Sequence, residues 1–324
     1  MLTRFVRALV AGALLVAGTL ASADDAYPTR PVKLIVPFPA GQATDIAARI
    51  VAEALGRQWG QSVVVENFGG GGGVPGMLQA RRAAPDGYTL VMGTSAVLVV
   101  NPAIMDKLPY DPFNDFAFVG PVFRNPLVIV ANDESPYHTL KDVVDAAKKN
   151  PGKLNWGYPG VGTTQHLTGE LFKQVAGVDI VGVMYKGSAQ CVSDLLGNQI
   201  PLSVDGIGPN LSYIKAGKLR ALASTGEQRA TQLPDVPTVA ELGYPGFSGE
   251  GWGGVVATKG VPDAIVTKIS RDLAKVMNDP TVQQRLVTAG LVVDNQPRDQ
   301  WMAFAKKTYV TWGEVARRNN IKVQ

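Results

Sequence analysis

The sequence predicts two α/β lobes with the chain crossing between them twice. Three observations carry this: a strand–turn–helix unit near the start, a second series of such units further on, and closing helices that have no strands of their own. Residues 32–36 (VKLIV) are an apolar run of the length of a buried strand. Pro37, Pro39 and Gly41 end it, since proline cannot donate to a sheet ladder. Ile46, Ala47, Ile50, Val51, Ala54 and Leu55 then recur at helical spacing up to Gly60, with Thr44 or Asp45 as the expected cap. Such a turn presents unpaired N–H groups at a helix N-terminus, where the helix dipole adds partial positive charge and an anion can be held.

The other elements follow in order. Residues 62–66 (SVVVE) read as a second strand, followed by Asn67, Phe68 and the glycines 69–73, with Gly71 at their centre. A helix from about 74 to 84 and a third strand at 88–93 come next, ending in Thr94 and Ser95. This alternation implies a parallel sheet with right-handed crossovers, whose ligands sit beyond the carboxyl ends of the strands. Gly41, the five glycines and Thr94-Ser95 all fall at such ends. Residues 108–116 break the pattern, and a new unit is expected near Pro121. It has a strand at 127–131, a helix entered at Thr139 and a strand at 154–157. A glycine turn then runs from Tyr158 through Gly160, Gly162, Thr163 and Thr164 into a helix at 165–176. A strand at 180–185 leads through Lys186 and Gly187 to a helix closed by Gly197. Strands at 200–204, reaching Asp205, and at 219–224 follow. Residues 232–247, rich in proline and glycine, read as a return crossing; a strand at 255–258 precedes helices at 263–278, 281–289 and 298–319. Those helices cannot form a core alone, so they are expected to pack on the first unit. One lobe is then 24–122 with 245–324, the other 123–244, with a ligand cleft between them.

Residues 1–23 stand apart. Arg4 and Arg7 precede the apolar run 8–20, and Ala21-Ser22-Ala23 reads as a cleavage site. This is the pattern of a secretory signal peptide, too short for a membrane span, so the protein is expected to be exported and soluble. The 31 Lys and Arg against 27 Asp and Glu form no basic block, which argues against a nucleic-acid partner. One cysteine, Cys191, excludes an internal disulfide framework. Two histidines, with neither H-E-x-x-H nor C-x-x-C, leave little for a metal, and no cofactor is expected.

The glycines 69–73 lack the Lys-Ser/Thr of a phosphate loop and read either as a flexible turn or as a close backbone approach to a small anion. His166 and Glu170, four apart on one helix face, read as a proton-transfer or metal pair, or as a cap or structural hydrogen bond; the lack of further ligands nearby favours the latter. Ser95 and Ser188 have no G-x-S-x-G elbow, and Cys191 beside Val192 and Leu195 reads as a small buried hydrophobe. Asp205 is either an exposed turn aspartate or a ligand-facing one on the strand rim.

Several stretches together resemble a known family: PVKLIVPFPAGQATDIAAR, APDGYTLVMGTS, LPYDPFNDFAFVGPV, LNWGYPGVGTTQHLTGELF, YKGSAQCVSDLLGNQIPLSVD, GKLRALA and LPDVPTVAELGYPGF. They are similar, in one order over nearly the whole exported chain, to the solute receptors of tripartite tricarboxylate transporters, the Bug-type periplasmic receptors. The resemblance implies an α/β periplasmic binding protein of the two-lobed Venus-flytrap kind, type II-like and monomeric, with no catalytic residues. Such a receptor captures a small organic carboxylate in the periplasm and delivers it to a membrane permease of large and small subunits. Di- and tricarboxylates, acidic amino acids and aromatic acids are the family's ligands. On the matching turns, the ligand-binding candidates are Gly41, Gln42, Thr44, Asp45, Phe68, Gly71, Thr94 and Ser95 from the first lobe. The second lobe offers Tyr158, Gly160, Gly162, Thr163, Thr164, His166, Lys186 and Asp205, with Thr163 and Thr164 as carboxylate donors. Gln42 stands where the family usually has glycine, and Phe68 where it has Arg-Pro, which leaves room for an apolar or aromatic ligand. The rival expectation is a secreted enzyme acting on a small acid through His166, Glu170 and Asp205.

Overall fold

The computed structural model describes residues 27–323; the expected signal peptide at 1–23 lies outside them. The first unit runs β1 Val32–Val36, α1 Ala43–Trp59, β2 Val63–Asn67, α2 Val74–Arg81, β3 Thr89–Thr94 and the short α3 Asn101–Ile104. A long strand, β4 Phe116–Asn132, leads into α4 Leu140–Lys149, β5 Asn155–Tyr158, α5 Thr164–Ala176, β6 Val181–Met184 and α6 Ser188–Leu196. Then come β7 Leu202–Gly206, α7 Ile207–Lys215, β8 Leu219–Ser224 and β9 Glu250–Thr258. The chain closes with α8 Asp263–Met277, α9 Pro280–Thr288, β10 Val292–Val293 and α10 Arg298–Arg318.

The strands form one curled mixed sheet in the order β2-β1-β3-β9-β4-β7-β5-β6, with β8 and β10 pairing to β4 off that path. β1, β2 and β3 are parallel, as are β5, β6 and β7, so each half brings its strand ends to one edge. β4 joins the halves: Phe116 to Pro126 pairs with β9, and Leu127 to Asn132 with β7 and β8. The expected interruption near Pro121 is corrected at the level of the strand alone, because β4 passes straight through it. Pro121 reads as a breaker, but it sits between two register shifts in the β4–β9 ladder, where a missing N–H costs no regular bond.

Val266, Ile269 and Leu273 of α8 share a core with Leu34 of β1 and Val51 of α1. Trp301 and Trp312 of α10 share another with Val91 and Trp252. Separate cores around Trp156 and Phe172, and around Cys191 and Leu195, fill the other half. Cys191 is thus the small buried hydrophobe its surroundings imply, its thiol pushed up to about 12 chiefly by burial. Helix α7 is missing from the sequence reading because Gly208 and Pro209 resemble a loop. Pro209 falls in the first helical turn, where its absent N–H would have had no partner.

Candidate functional site

The carboxyl ends of both strand sets face a cleft of about 800 Å³. Among the described residues, no Lys, Arg, His, Asp or Glu lines it. Three helices instead begin at its wall.

Helix α1 starts at Gln42, an extended N-cap whose side chain makes no capping bond. The first helical bond runs from the Ile46 amide to the Gln42 carbonyl, so the amides of Ala43, Thr44 and Asp45 take no partner in the described hydrogen bonds. Neither Thr44 nor Asp45 is the cap expected from the sequence: both sit in the first turn, and Gln42, Ala43 and Thr44 face the cleft. The Asp45 side chain turns away and is 2 % exposed. Its Oδ2 accepts from the Gly41 amide at 2.8 Å and Arg49 Nε at 3.0 Å, and its Oδ1 from Asn67 Nδ2 at 2.9 Å. Burial alone would raise the Asp45 pKa, but the bonds from Arg49, Gly41 and Asn67 outweigh it and hold the carboxyl below its usual range. Gly41 and Asp45 therefore shape the turn without lining the cleft.

Helix α5 starts at Thr163, whose hydroxyl accepts from the His166 amide at 3.2 Å and donates to the Gly160 carbonyl at 2.9 Å. That proton is spent, so Thr163 serves as a cap, and the donors left for a ligand are the Thr164 hydroxyl and the Thr164 and Gln165 amides. Gly162, Thr163, Thr164 and Gln165 line the cleft. A side chain at Gly162 would be strained twice, by φ +69° and by Ile104 Cδ1 at 2.6 Å across the cleft.

His166 lies outside the lining. Its Nδ1 accepts from the Gly162 amide at 3.2 Å, and burial lowers its pKa, so it braces the loop from behind as a neutral ring. Tyr158 is fully buried and donates to Glu170 at 3.1 Å, and Lys173 pairs with the same carboxylate. Among the described residues no cluster could hold a metal ion.

Helix α6 starts at Gly187, whose φ of 140° is glycine territory, again with no side-chain cap. Gly187 and Ser188 line the cleft, whereas Lys186 is exposed and outside the lining. Asp205 stands behind Ser188 with 0 % exposure, neither an exposed turn residue nor a lining one.

Of the remaining candidates, Gly71, Thr94 and Ser95 line the cleft, and Phe68 does not. Phe68 packs into the first-half core and donates its amide to Val36, so the aromatic character expected from it is supplied by Phe38, Phe123 and Trp252. Ile104, Met105 and Val323 add an apolar edge. The aromatic trio was visible only as strand and turn residues. Val323 reaches the cleft through a bridge to Met105 that no local pattern signals.

The chain matches the model of the tripartite tricarboxylate transporter family receptor over residues 47–321. It is 36 % identical to BugT of Bordetella pertussis over 301 residues, 93 % of this chain and 92 % of that one. An R. palustris protein solved with adipate is 32 % identical with a TM-score of 0.77, covering 91 % of this chain and 99 % of that one. MatC from Rhodopseudomonas palustris, with bound malate, is 28 % identical with a TM-score of 0.72, covering 89 % and 99 %. The periplasmic binding protein BugD is 35 % identical, with a TM-score of 0.73, covering 92 % and 100 %. The two-lobed sheet, the cleft at its strand ends and these matches together place the chain in the tripartite tricarboxylate transporter receptor family.

Proposed function

We propose that the protein captures a small organic di- or tricarboxylate, or an aromatic acid, in the cleft and releases it unchanged to the large and small subunits of a membrane permease. The observation that carries this reading is the cleft wall: three helix N-termini converge on it, those of α1 and α6 with no side-chain cap and that of α5 with the Thr164 and Gln165 amides left over, and among the described residues no charged side chain lines it. Unpaired amides at a helix start hold oxyanions without a cation. The α1 end belongs to one half and the α5 and α6 ends to the other, so a molecule charged at both ends can bridge them. The adipate and malate held by relatives fit that arrangement.

His166, Glu170 and Asp205, the set an enzyme would need, are held in bonds behind the wall, which supports binding without turnover. The lobes divide near 122 and near 245, and the protein works as a monomer in the periplasm. The family's known location and the expected signal peptide support that site of action; no helix among the described residues is long and apolar enough to cross a membrane.

Calorimetry with adipate, malate and an aromatic diacid tests this at low and high salt. Because the donors are neutral and enclosed, affinity falls by no more than about threefold as the Debye length shrinks from roughly 30 to 8 Å. A steep loss with salt would assign capture to exposed cations such as Lys186.

A further inference from the structure

Behind the α6 end of the cleft sits a buried carboxyl group without a cationic partner among the described salt bridges. Asp205 Oδ1 accepts from the Ser188 hydroxyl at 2.8 Å and from the Gly206 amide at 2.6 Å. Oδ2 is buried with no partner, and among the described salt bridges no cation pairs with this carboxylate. Gln165 of α5 and Asn210 of α7 reach it with their side chains, and Val128 of β4 lies opposite in the ladder. The Asn210 amide nitrogen is committed to the Gly206 carbonyl at 2.9 Å, while its oxygen is buried without a partner. The Asp205 Oδ2 acceptor thus stands buried without a donor of its own. An unpaired buried acceptor is costly, and one proton on Asp205 Oδ2 turns that oxygen into a donor.

Resting on the carboxylate reading above, we propose that Asp205 is a positioning residue that takes up a proton from solvent when a carboxylate binds at the Gly187–Ser188 end of the cleft. With Asp205 ionised, the Ser188 hydroxyl must donate to it and shows the cleft only lone pairs. A carboxylate arriving one serine away adds a second negative charge in a poorly solvated place, and like charges at close range drive one of the pair to bind a proton. The proton goes onto Oδ2 from the buffer. The neutral carboxyl then holds the Ser188 hydroxyl less tightly, and Ser188 turns its proton to the ligand. The resting state is already biased this way, since burial pushes Asp205 up despite the opposing bonds from Gly206, Ser188, Gln165 and Asn210. Of the ionisable groups beside it, Cys191 on α6 is held neutral by its own burial. His166 on α5 and the exposed Lys186, which precedes Gly187, are the other titratable groups near this end of the wall.

The test is calorimetry with adipate and with malate in buffers of different ionisation enthalpy, between about pH 6.5 and pH 8, where both acids are fully ionised. The expected result is net uptake approaching about one proton per ligand, with affinity rising about 3- to 10-fold per unit fall in pH. In Asp205→Asn, uptake disappears and the pH dependence flattens. Ser188→Ala provides a second variant that leaves Asp205 in place and removes its link to the ligand; there the affinity gain at low pH shrinks. Binding by the parent without proton uptake overturns the inference alone. Uptake that persists in Asp205→Asn assigns the proton to His166 and overturns it as well. Failure of both acids to bind overturns the carboxylate reading and this inference with it.

Discussion

Thr164→Pro weakens capture of a dicarboxylate about 10- to 100-fold while leaving the melting temperature unchanged or slightly raised. Thr164 is the first helical residue of α5, and the Thr163 before it is extended, with φ −78° and ψ 163°. Proline fits both requirements: it prefers the first helical position and forces its predecessor into extended backbone. The fold therefore tolerates it, and what is lost is the Thr164 N–H and hydroxyl. A hydrogen bond to a charged group contributes about 1.5–3 kcal/mol, which is the stated loss of affinity. Ala43→Pro is the matching change in α1, after Gln42 at φ −78° and ψ 162°. Calorimetry of each variant and of the pair, with thermal melts alongside, separates affinity from stability. Parent-like binding in the paired variant would remove the helix ends from the mechanism.

Asp45→Ala has the second largest effect, and it acts on stability first. The side chain ties together the Gly41 amide, Arg49 and Asn67, and Asn67 in turn donates to the Phe38 carbonyl at 3.1 Å. Removing it strands the Gly41 amide and Asn67. Arg49 stays half exposed and hydrated, so its loss of a partner costs little. About 1–3 kcal/mol of stability is lost, with roughly tenfold weaker binding as the α1 turn loosens. The native carboxyl lies below its ordinary pKa, so its contribution is fully present above the unfolded value near 4. It is lost as pH falls through the lower folded value. Denaturation at about pH 7 and pH 3, comparing parent with Asp45→Ala, reads this: the gap between them narrows in acid. An equal gap at both would place the stabilisation elsewhere.

The elements were legible wherever one local rule decided them. β1 begins and ends where its apolar run does, and Thr139 caps α4 with Asp142 completing the box. Helix α5 begins within a residue of its expected start because the Gly160–Thr163 turn has few other uses. Where tertiary context overrode local chemistry, the reading failed. Pro121 passes inside β4 because bulges on either side absorb it. At the site, the turns were visible but the direction of each side chain was not. Asp45, Thr163 and His166 all sit on turns that border the cleft, and each spends its polar atoms on the turn itself. Sequence spacing marks a helix start; it does not show whether a hydroxyl is free or already bonded.

The most direct measurement is the amide proton shift of the backbone at the helix starts, followed by NMR as adipate or malate is titrated into labelled protein. If a carboxylate is held by backbone donors at both ends of the cleft, the amides of Thr44, Asp45, Thr164 and Gln165 move downfield together as hydrogen bonds to an anion form. If those four stay in place while the Lys186 or Arg49 side chains shift on saturation, the oxyanions are bound by cations, and capture by the free amides of the helix starts is contradicted.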